Sequence, residues 1–487
     1  MTTRLLADTK PLTTAPLGLP LLGLIKRDPL GSASRFQREF GDVTRLNILF
    51  RRIYYLFNPE VARELLVDNH DHLCKEIRLL EIFRTFQGRN VLTTEGPDWE
   101  RQRRILTPGF SARKLTSYMS LMTAAIDACV ASELPAEVGA SREVDVDALT
   151  TRITMDVILR TLFSYASSRE ETAEISAAVR ALSKQSMREA YWPVVARSWM
   201  PFPGKAEKRK HLATIDALID RHIRARLADP EPAEARQDIL DMLLSARDDL
   251  PDASRATLTS QEVRDNCHVL FGAGFDTAAS ALTWWIGLMA AHPEVVSQLR
   301  TELEAVGQNP ADETIARLPY LNATLKEAMR LYPPSTALFT RVARRDLQVG
   351  DVSIPRRTLV VVPIWHLHHD PRSFPEPMLF RPERFMPGAA SFPRGAYMPF
   401  GAGPHVCLGQ QFAAIEMALI AARLVAEFDV AFTSGNALPE PFVDLALKPK
   451  TRMRVQFRRR WQAASSKQRT ASCPPPSSSS ADLERAR

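Results

Sequence analysis

FGAGPHVCLG, from Phe400 to Gly409, sets one cysteine among three glycines and a proline, directly ahead of a long helical pattern. A structural cysteine ordinarily sits in an apolar helix or strand, and this stretch cannot pack like a core. Its glycines free the backbone for positive φ or for close approach to something flat and bulky. After Cys407, LGQQFAAIEMALIAARLVAEF places Phe412, Ile415 and Leu419 on one helical face and Glu416, Arg423 and Glu427 on another. Cys407 is therefore expected at a helix N-terminus, where unpaired N–H groups and the macrodipole favour a thiolate.

Outward from that loop, composition sets the frame. The 487 residues are 45% hydrophobic, enough to bury a large core. Cys74, Cys129, Cys267, Cys407 and Cys473 are scattered, with no Cys-x-x-Cys pair. That spacing argues against a disulfide framework or a zinc ribbon and points to a reducing, cytoplasmic setting. Residues 1–30 hold no apolar run with a cleavage site, and LGLPLLGLIK is too short and too broken by Pro and Gly to span a bilayer. From Arg452 onward nine Lys/Arg face two acids, which accounts for the whole net charge of +7. A basic end on a balanced globule is no dedicated polyanion surface, so no nucleic-acid partner is expected.

Three segments are expected: a flexible N-terminus (1–16), one large domain (17–460) and a disordered Ser/Pro-rich basic tail (461–487). DVTRLNILFRRIYYLFNP reads as two strands joined by a basic turn. From Pro59 to Tyr332 the pattern is mostly helical, broken near LPAEVGAS, MPFPGK and LADPEPAEA. Strands return in LQVGDVSIPRRTLVVVPI and around LKPKTRMRVQF. The fold class is thus mainly α with a small β part. One helix stands out. TSQE, Thr259–Glu262, has capping-box spacing, and His292–Pro293 should end the run. Cys267 to Ala291 is almost wholly apolar and long enough for a bilayer, but Asp276 near its centre, His268 and the lack of an apolar partner segment favour burial through the middle of a large protein.

Within that helix, AGFDT (Ala273 to Thr277) puts a glycine and a carboxylate where both are costly. It reads either as a kinked core helix with a satisfied Asp276 or as a local opening with an acid and a hydroxyl facing a cavity. Glu327 and Arg330 share one helical face, although the same spacing recurs at Glu81/Arg84, Glu100/Arg103 and Glu484/Arg487. FRPERF (Phe380 to Phe385) is a charged turn. Trp99 and Arg103, at i and i+4 in WERQRR, are two donors suited to a ligand carboxylate, or else a solvated basic face. HLHHD lacks the i, i+4 His pair of a metal site.

In this order the pieces resemble the cytochrome P450 family of haem-thiolate monooxygenases, from about Leu19 to Arg460. Phe400, Gly403, Cys407 and Gly409 match its ligand loop, AGFDT its oxygen-activating helix, and EAMR its Glu-x-x-Arg helix. FRPERF matches its meander, and WERQR its Trp-x-x-x-Arg clamp. The resemblance implies haem b (protoporphyrin IX iron) sandwiched between the long central helix, at Ala273, and the Cys-loop helix, with Cys407 as axial and metal ligand. Trp99, Arg103 and Arg341 would hold the haem carboxylates, with His405 standing where many members carry Arg. Glu327, Arg330 and Arg384 would form a structural triad behind the loop. Asp276 and Thr277 would be catalytic, delivering protons, the Gly274 break turning the Thr277 hydroxyl into the cavity rather than back along the helix.

Ile82, Phe83, Phe86, Phe271, Leu338 and Phe339 would wall a substrate pocket apolar enough for a fatty acid, terpenoid or polyketide. The implied reaction inserts one atom of O₂ into that substrate. Electrons would come from a separate ferredoxin or flavodoxin with its reductase, steered by Arg101, Arg103, Arg104 and Arg394. A peroxide-using or rearranging haem-thiolate enzyme and a non-catalytic haem sensor are the alternatives, and the acid–alcohol pair speaks against both.

Overall fold

The computed structural model describes residues 18–48, 50–190, 203–228, 238–246, 257–307, 310–433 and 437–460. The expected flexible N-terminus, the Ser/Pro-rich tail, half of MPFPGK and most of LADPEPAEA lie outside the described residues.

The central helix runs from Ser260 to Ala291 over 32 residues. Its start is fixed reciprocally: the Glu262 N–H donates to Thr259 Oγ1 at 3.2 Å, and the Thr259 N–H donates to Glu262 Oε2 at 2.9 Å. It packs along the Val146–Phe163 helix, and Gly274 lets the two approach, since a Cβ there would lie 2.9 Å from Ile158 Cδ1. Buried polar groups on the helix find partners elsewhere in the chain. Trp285 Nε1 donates to Thr324 Oγ1 at 3.0 Å, while Ser280 Oγ and Trp284 Nε1 both donate to the Leu447 carbonyl, at 2.6 and 3.0 Å. The 18-residue helix that follows the cysteine loop, Gln410–Glu427, packs against this assembly. Among the described residues no helix is long and apolar enough to cross a membrane.

Among the described residues twelve short strands flank the helices: β1 Val43–Ile48, β2 Arg51–Leu56, β3 Leu73–Lys75, β4 Ser141–Asp145, β5 Arg341–Ala343, β6 Leu347–Val349, β7 Val352–Ile354, β8 Leu359–Val361, β9 Phe428–Phe432, β10 Pro441–Val443, β11 Leu447–Pro449 and β12 Arg454–Arg459. The largest sheet has the order β1-β2-β8-β5-β3, with β2 and β8 parallel. Its far edge pairs Lys75 directly with Arg341. A second sheet places β12 between β4 and β9. The basic end of the chain is partly consumed there: Arg454 pairs with Glu143 at 3.0 Å, Arg458 with Asp429 at 2.9 Å and Arg459 with Glu427 at 3.1 Å.

Candidate active site

Helical phase decides what the AGFDT segment presents. Phe271 and Phe275, four apart, are 1% and 2% exposed and pack into the core. Ala273 and Thr277, also four apart, are exposed in the middle of an otherwise buried helix, so they face an internal void. Phe271 is therefore a core residue, not a pocket wall, and so is Ile82 at 2% exposure. The expected opening of the helix is absent. Residues 260–291 are continuously helical, and the Thr277 hydroxyl donates back to the Ala273 carbonyl at 2.8 Å. Gly274 faces Ile158, so its role is close helix packing rather than a break. Asp276 is held from the side: Lys448 Nζ, on β11, lies 3.1 Å from Asp276 Oδ1 and 3.1 Å from Asp147 Oδ1. Burial alone would lower Lys448, but the two carboxylates more than offset it and hold its ammonium above the ordinary value.

The cysteine loop is held by its own backbone. The Cys407 N–H donates to the Phe400 carbonyl at 2.9 Å, and the Val406 N–H to the Gly403 carbonyl at 3.0 Å. Gly403 has φ +73°, and a Cβ there would sit 2.1 Å from the Leu66 carbonyl oxygen, so no other residue fits. Cys407 is reachable from outside yet surrounded by protein, as a side chain facing a deep cavity must be. Burial pushes its thiol up, and the Gly409 N–H and Arg103 oppose this only in part. The loop N–H and Arg103 thus favour the thiolate, as the position ahead of the helix leads one to expect, without outweighing burial.

To one side of the cysteine stands a collar of cations. Lys75 is 3% exposed and donates to the carbonyls of Leu92 and Thr94, at 2.8 and 3.0 Å, with Glu95 Oε1 at 3.6 Å. Burial, relieved in part by Glu95, brings Lys75 down to about 8. Arg341, its cross-strand partner, is 8% exposed and donates to the Phe339 carbonyl at 2.8 Å. Burial likewise holds Arg341 and Arg103 below their ordinary range. Trp99 and His405 lie ring against ring, centroids 3.9 Å apart and planes tilted by 36°, and the Lys75 ammonium lies 5.9 Å from the Trp99 centroid. Burial, then Lys75, Arg341 and Arg103, push His405 down to about 3, so it is a neutral donor where an arginine would carry fixed charge. Like charges directly opposite in a sheet repel; convergent donors of which Lys75 and Arg341 share the Glu95 carboxylate among the described residues suit an anionic ligand. Arg101, by contrast, is 8% exposed and turned inward onto Glu262 and the Thr257 carbonyl, so it is not on the partner-facing surface expected for it.

Behind the loop the charges are closed. Glu327 and Arg330 have fully buried side chains joined by two bonds, Nε to Oε2 at 2.7 Å and Nη2 to Oε1 at 2.8 Å. Arg330 also donates to the carbonyls of His368, Pro377 and Leu379. Arg384 Nε lies 3.3 Å from Glu327 Oε1. Of the HLHHD histidines, His368 belongs to this layer: its Nε2 accepts from the Met398 N–H at 3.0 Å, and burial brings it down to about 3. Among the described residues no group of His, Cys, Asp or Glu has a metal-binding arrangement of its own. Of the expected pocket walls, Phe83, Phe86 and Phe339 come together, with centroids 5.4 and 5.6 Å from Phe83, and Leu338 approaches Gly401.

The cytochrome P450 family model matches residues 10–457. The chain belongs to the cytochrome P450 family. It is 30% identical over 444 residues to cyclooctatin synthase of Streptomyces melanosporofaciens, covering 90% of this chain and 94% of that one. It is 29% identical over 431 residues to the cyclooctat-9-en-7-ol 5-monooxygenase of the same organism, covering 87% and 91%. A cytokinin hydroxylase of Arabidopsis thaliana is 30% identical over 412 residues, covering 82% and 78%. This P450 is thus a monooxygenase of a haem-thiolate family, using O₂ and electrons from a redox partner.

Sequence reasoning missed Lys75 and Lys448 as parts of this site. Each lies on a three-residue strand, and neither carries a motif; only pairing across the fold brings them in.

Proposed function

We propose that this P450 binds haem b with Cys407 as axial thiolate and inserts one oxygen atom into a lipophilic substrate. The single observation that carries the site assignment is a deep-set Cys407 beside a collar of donors facing only one carboxylate. When bound, the haem supplies the oxygen-activating chemistry. Trp99, Arg103, Arg341 and His405 would hold its two carboxylates, and Lys75 adds a fifth donor. Phe400, Gly403 and Ala273 leave room for its flat faces. The Glu327, Arg330 and Arg384 network keeps the loop rigid from behind.

Thr277 and Asp276 move protons inward. An apolar pocket holds no bulk water to do so in a controlled way, so a hydroxyl and a carboxylate held at fixed positions are required. Lys448 holds the Asp276 carboxylate in place. Opposite the pocket, a groove of about 230 Å³ bordered by Lys326, Tyr397, Phe400 and Gln411 opens beside the loop. With Arg104 and Arg394 exposed, an acidic ferredoxin or flavodoxin suits that side as electron donor. A cytoplasmic setting fits such a donor. The substrate reading rests on the apolar side chains of Phe83, Phe86, Leu338 and Phe339.

The test is spectroscopic. The reduced, carbon-monoxide-bound protein should show the red-shifted Soret band of thiolate ligation. Cys407→Ala should lose that band and Cys74→Ala keep it; the reverse pattern would refute the assignment.

A further inference from the structure

We infer that one end of the five-stranded sheet docks on an anionic lipid membrane, with Phe50 inserting among a cluster of arginines that hold lipid phosphates. The inference goes beyond the proposed function and does not depend on the haem.

Three of the chain's Arg-Arg pairs, Arg51–Arg52, Arg344–Arg345 and Arg356–Arg357, come from distant parts of the sequence. Strand direction gathers them. β2 and β8 run parallel, with Ile53 opposite Leu359, so Arg51–Arg52 and Arg356–Arg357 share the end where both strands begin. β5 runs against β8, with Val342 opposite Leu359, so Arg344–Arg345 follow β5 at that same end. The turns touch one another there. Arg52 Nη2 donates to the Arg356 carbonyl at 3.3 Å, and the Arg357 N–H to the Ala343 carbonyl at 2.8 Å. All six arginines are exposed.

Their counter-charges are few. Arg51 pairs with Glu76, and Arg344 lies 3.6 Å from Glu95, a carboxylate already near Lys75. Asp346 accepts the Arg356 N–H at 2.6 Å, a bond to backbone rather than to a guanidinium. Arg52 reaches a carbonyl and Arg345 the His72 ring. Among the described residues Arg52, Arg345, Arg356 and Arg357 thus have no carboxylate partner. Composition hides this cluster, because the chain ahead of Arg452 is net neutral.

Two apolar side chains stand in the same field. Phe50, one residue before Arg51 in the β1–β2 turn, is 94% exposed, and Ile77, next to Glu76, is 68% exposed. The Arg51–Glu76 pair joins the two segments that carry them. A lone exposed apolar residue is ordinary. A ring ringed by unpaired guanidinium groups matches a bilayer interface, where headgroup phosphates take the cations and acyl chains take the ring. A polyanion such as a nucleic acid or an acidic protein would use the arginines and gain little from Phe50. Ile77 also begins the helix that carries Phe83 and Phe86, so the surface adjoins the apolar wall that a membrane-dissolved compound would reach.

Co-sedimentation of the full-length, haem-loaded protein with sucrose-loaded vesicles tests this. One set of vesicles is phosphatidylcholine alone, the other equal parts phosphatidylcholine and phosphatidylglycerol. Wild type should bind the anionic set, spare the neutral set and be released as salt screens the headgroups. Phe50→Ser should weaken binding about tenfold. Arg356→Gln combined with Arg357→Asn should weaken it about fivefold per charge, Asn being chosen because φ at 357 is +64°. Lys467→Ser combined with Lys→Ser-type neutralisation of Arg469, as Arg469→Ser, controls for the basic tail and should leave binding nearly unchanged. The inference is overturned if wild type ignores anionic vesicles, or if the tail variant loses binding while the sheet variants keep it. Binding that needs the arginines but survives Phe50→Ser assigns the surface to a polyanion and overturns the membrane reading. A missing thiolate band in wild type would refute the haem assignment and leave this inference standing.

Discussion

The two sides of the cysteine loop handle buried charge in opposite ways. Behind it, Glu327, Arg330 and Arg384 form a closed set in which Arg330 spends its donors on Glu327 and three carbonyls. In front, Lys75, Arg103, Arg341 and His405 crowd together with Glu95 as their counter-charge. Burial lowers all four of the front groups, as it must where cations outnumber their partners. A closed network serves the fold, and an open one is shaped for something that arrives later.

That contrast predicts unequal responses to mutation. The largest effect is expected behind the loop: Arg330→Leu strands a buried carboxylate, which costs about 3–5 kcal/mol. The haem-free protein should melt far lower or fail to accumulate. Lys75→Met, in front, should leave the haem-free melting temperature equal or higher. Equal damage from both substitutions would erase the distinction between the two regions.

Haem retention should show the reverse order among variants that fold. Arg103→Leu and Arg341→Leu each remove a charge-assisted bond worth about 1.5–3 kcal/mol, so haem transfer to an acceptor apoprotein should strengthen roughly tenfold or more. Unchanged retention in both would mean that the collar serves some other anion.

The pH response sharpens the same comparison. Lys75 falls from its ordinary value of 10.5 to about 8 in the folded chain. Between those values the unfolded chain binds more protons, so stability rises with pH. The haem-free protein should therefore gain at most about 1.4 kcal/mol per pH unit from this group between pH 8 and 10, and Lys75→Met should flatten that slope. A slope identical in the variant would assign the effect elsewhere.

The smallest structural effect is expected at Thr277, whose hydroxyl bonds only along its own helix. Thr277→Ala should keep haem, substrate binding and melting temperature, yet yield less product per NADPH and more peroxide. Full coupling in the variant would place the proton path elsewhere.

Local grammar made much of this legible. The capping box, the His292–Pro293 stop, the first two strands and the glycine-bound cysteine all follow from neighbours a few residues apart. What stayed hidden depends on distant partners. The AGFDT glycine read as a break because nothing in the segment announces Ile158 across the helix interface. Arg101 read as a surface charge because Glu262, its partner, lies 161 residues on. Phe271 read as a pocket wall because composition says apolar without saying which face. Lys75 carries no motif, and only its register against Arg341 reveals it.

The placement of β12 has a consequence for how the chain is made. Among the described residues β4 pairs with β12 alone, roughly 300 residues later, and the carbonyl that receives Ser280 and Trp284 belongs to Leu447. At about 5–20 residues per second a ribosome takes on the order of 15–60 s to cover the interval from β4 to β12. Through that time β4 presents an open edge and two buried donors on the central helix lack their acceptor. A stretch that emerges late thus closes an early part of the molecule, and a nascent chain stalled short of Leu447 is a natural client for chaperones.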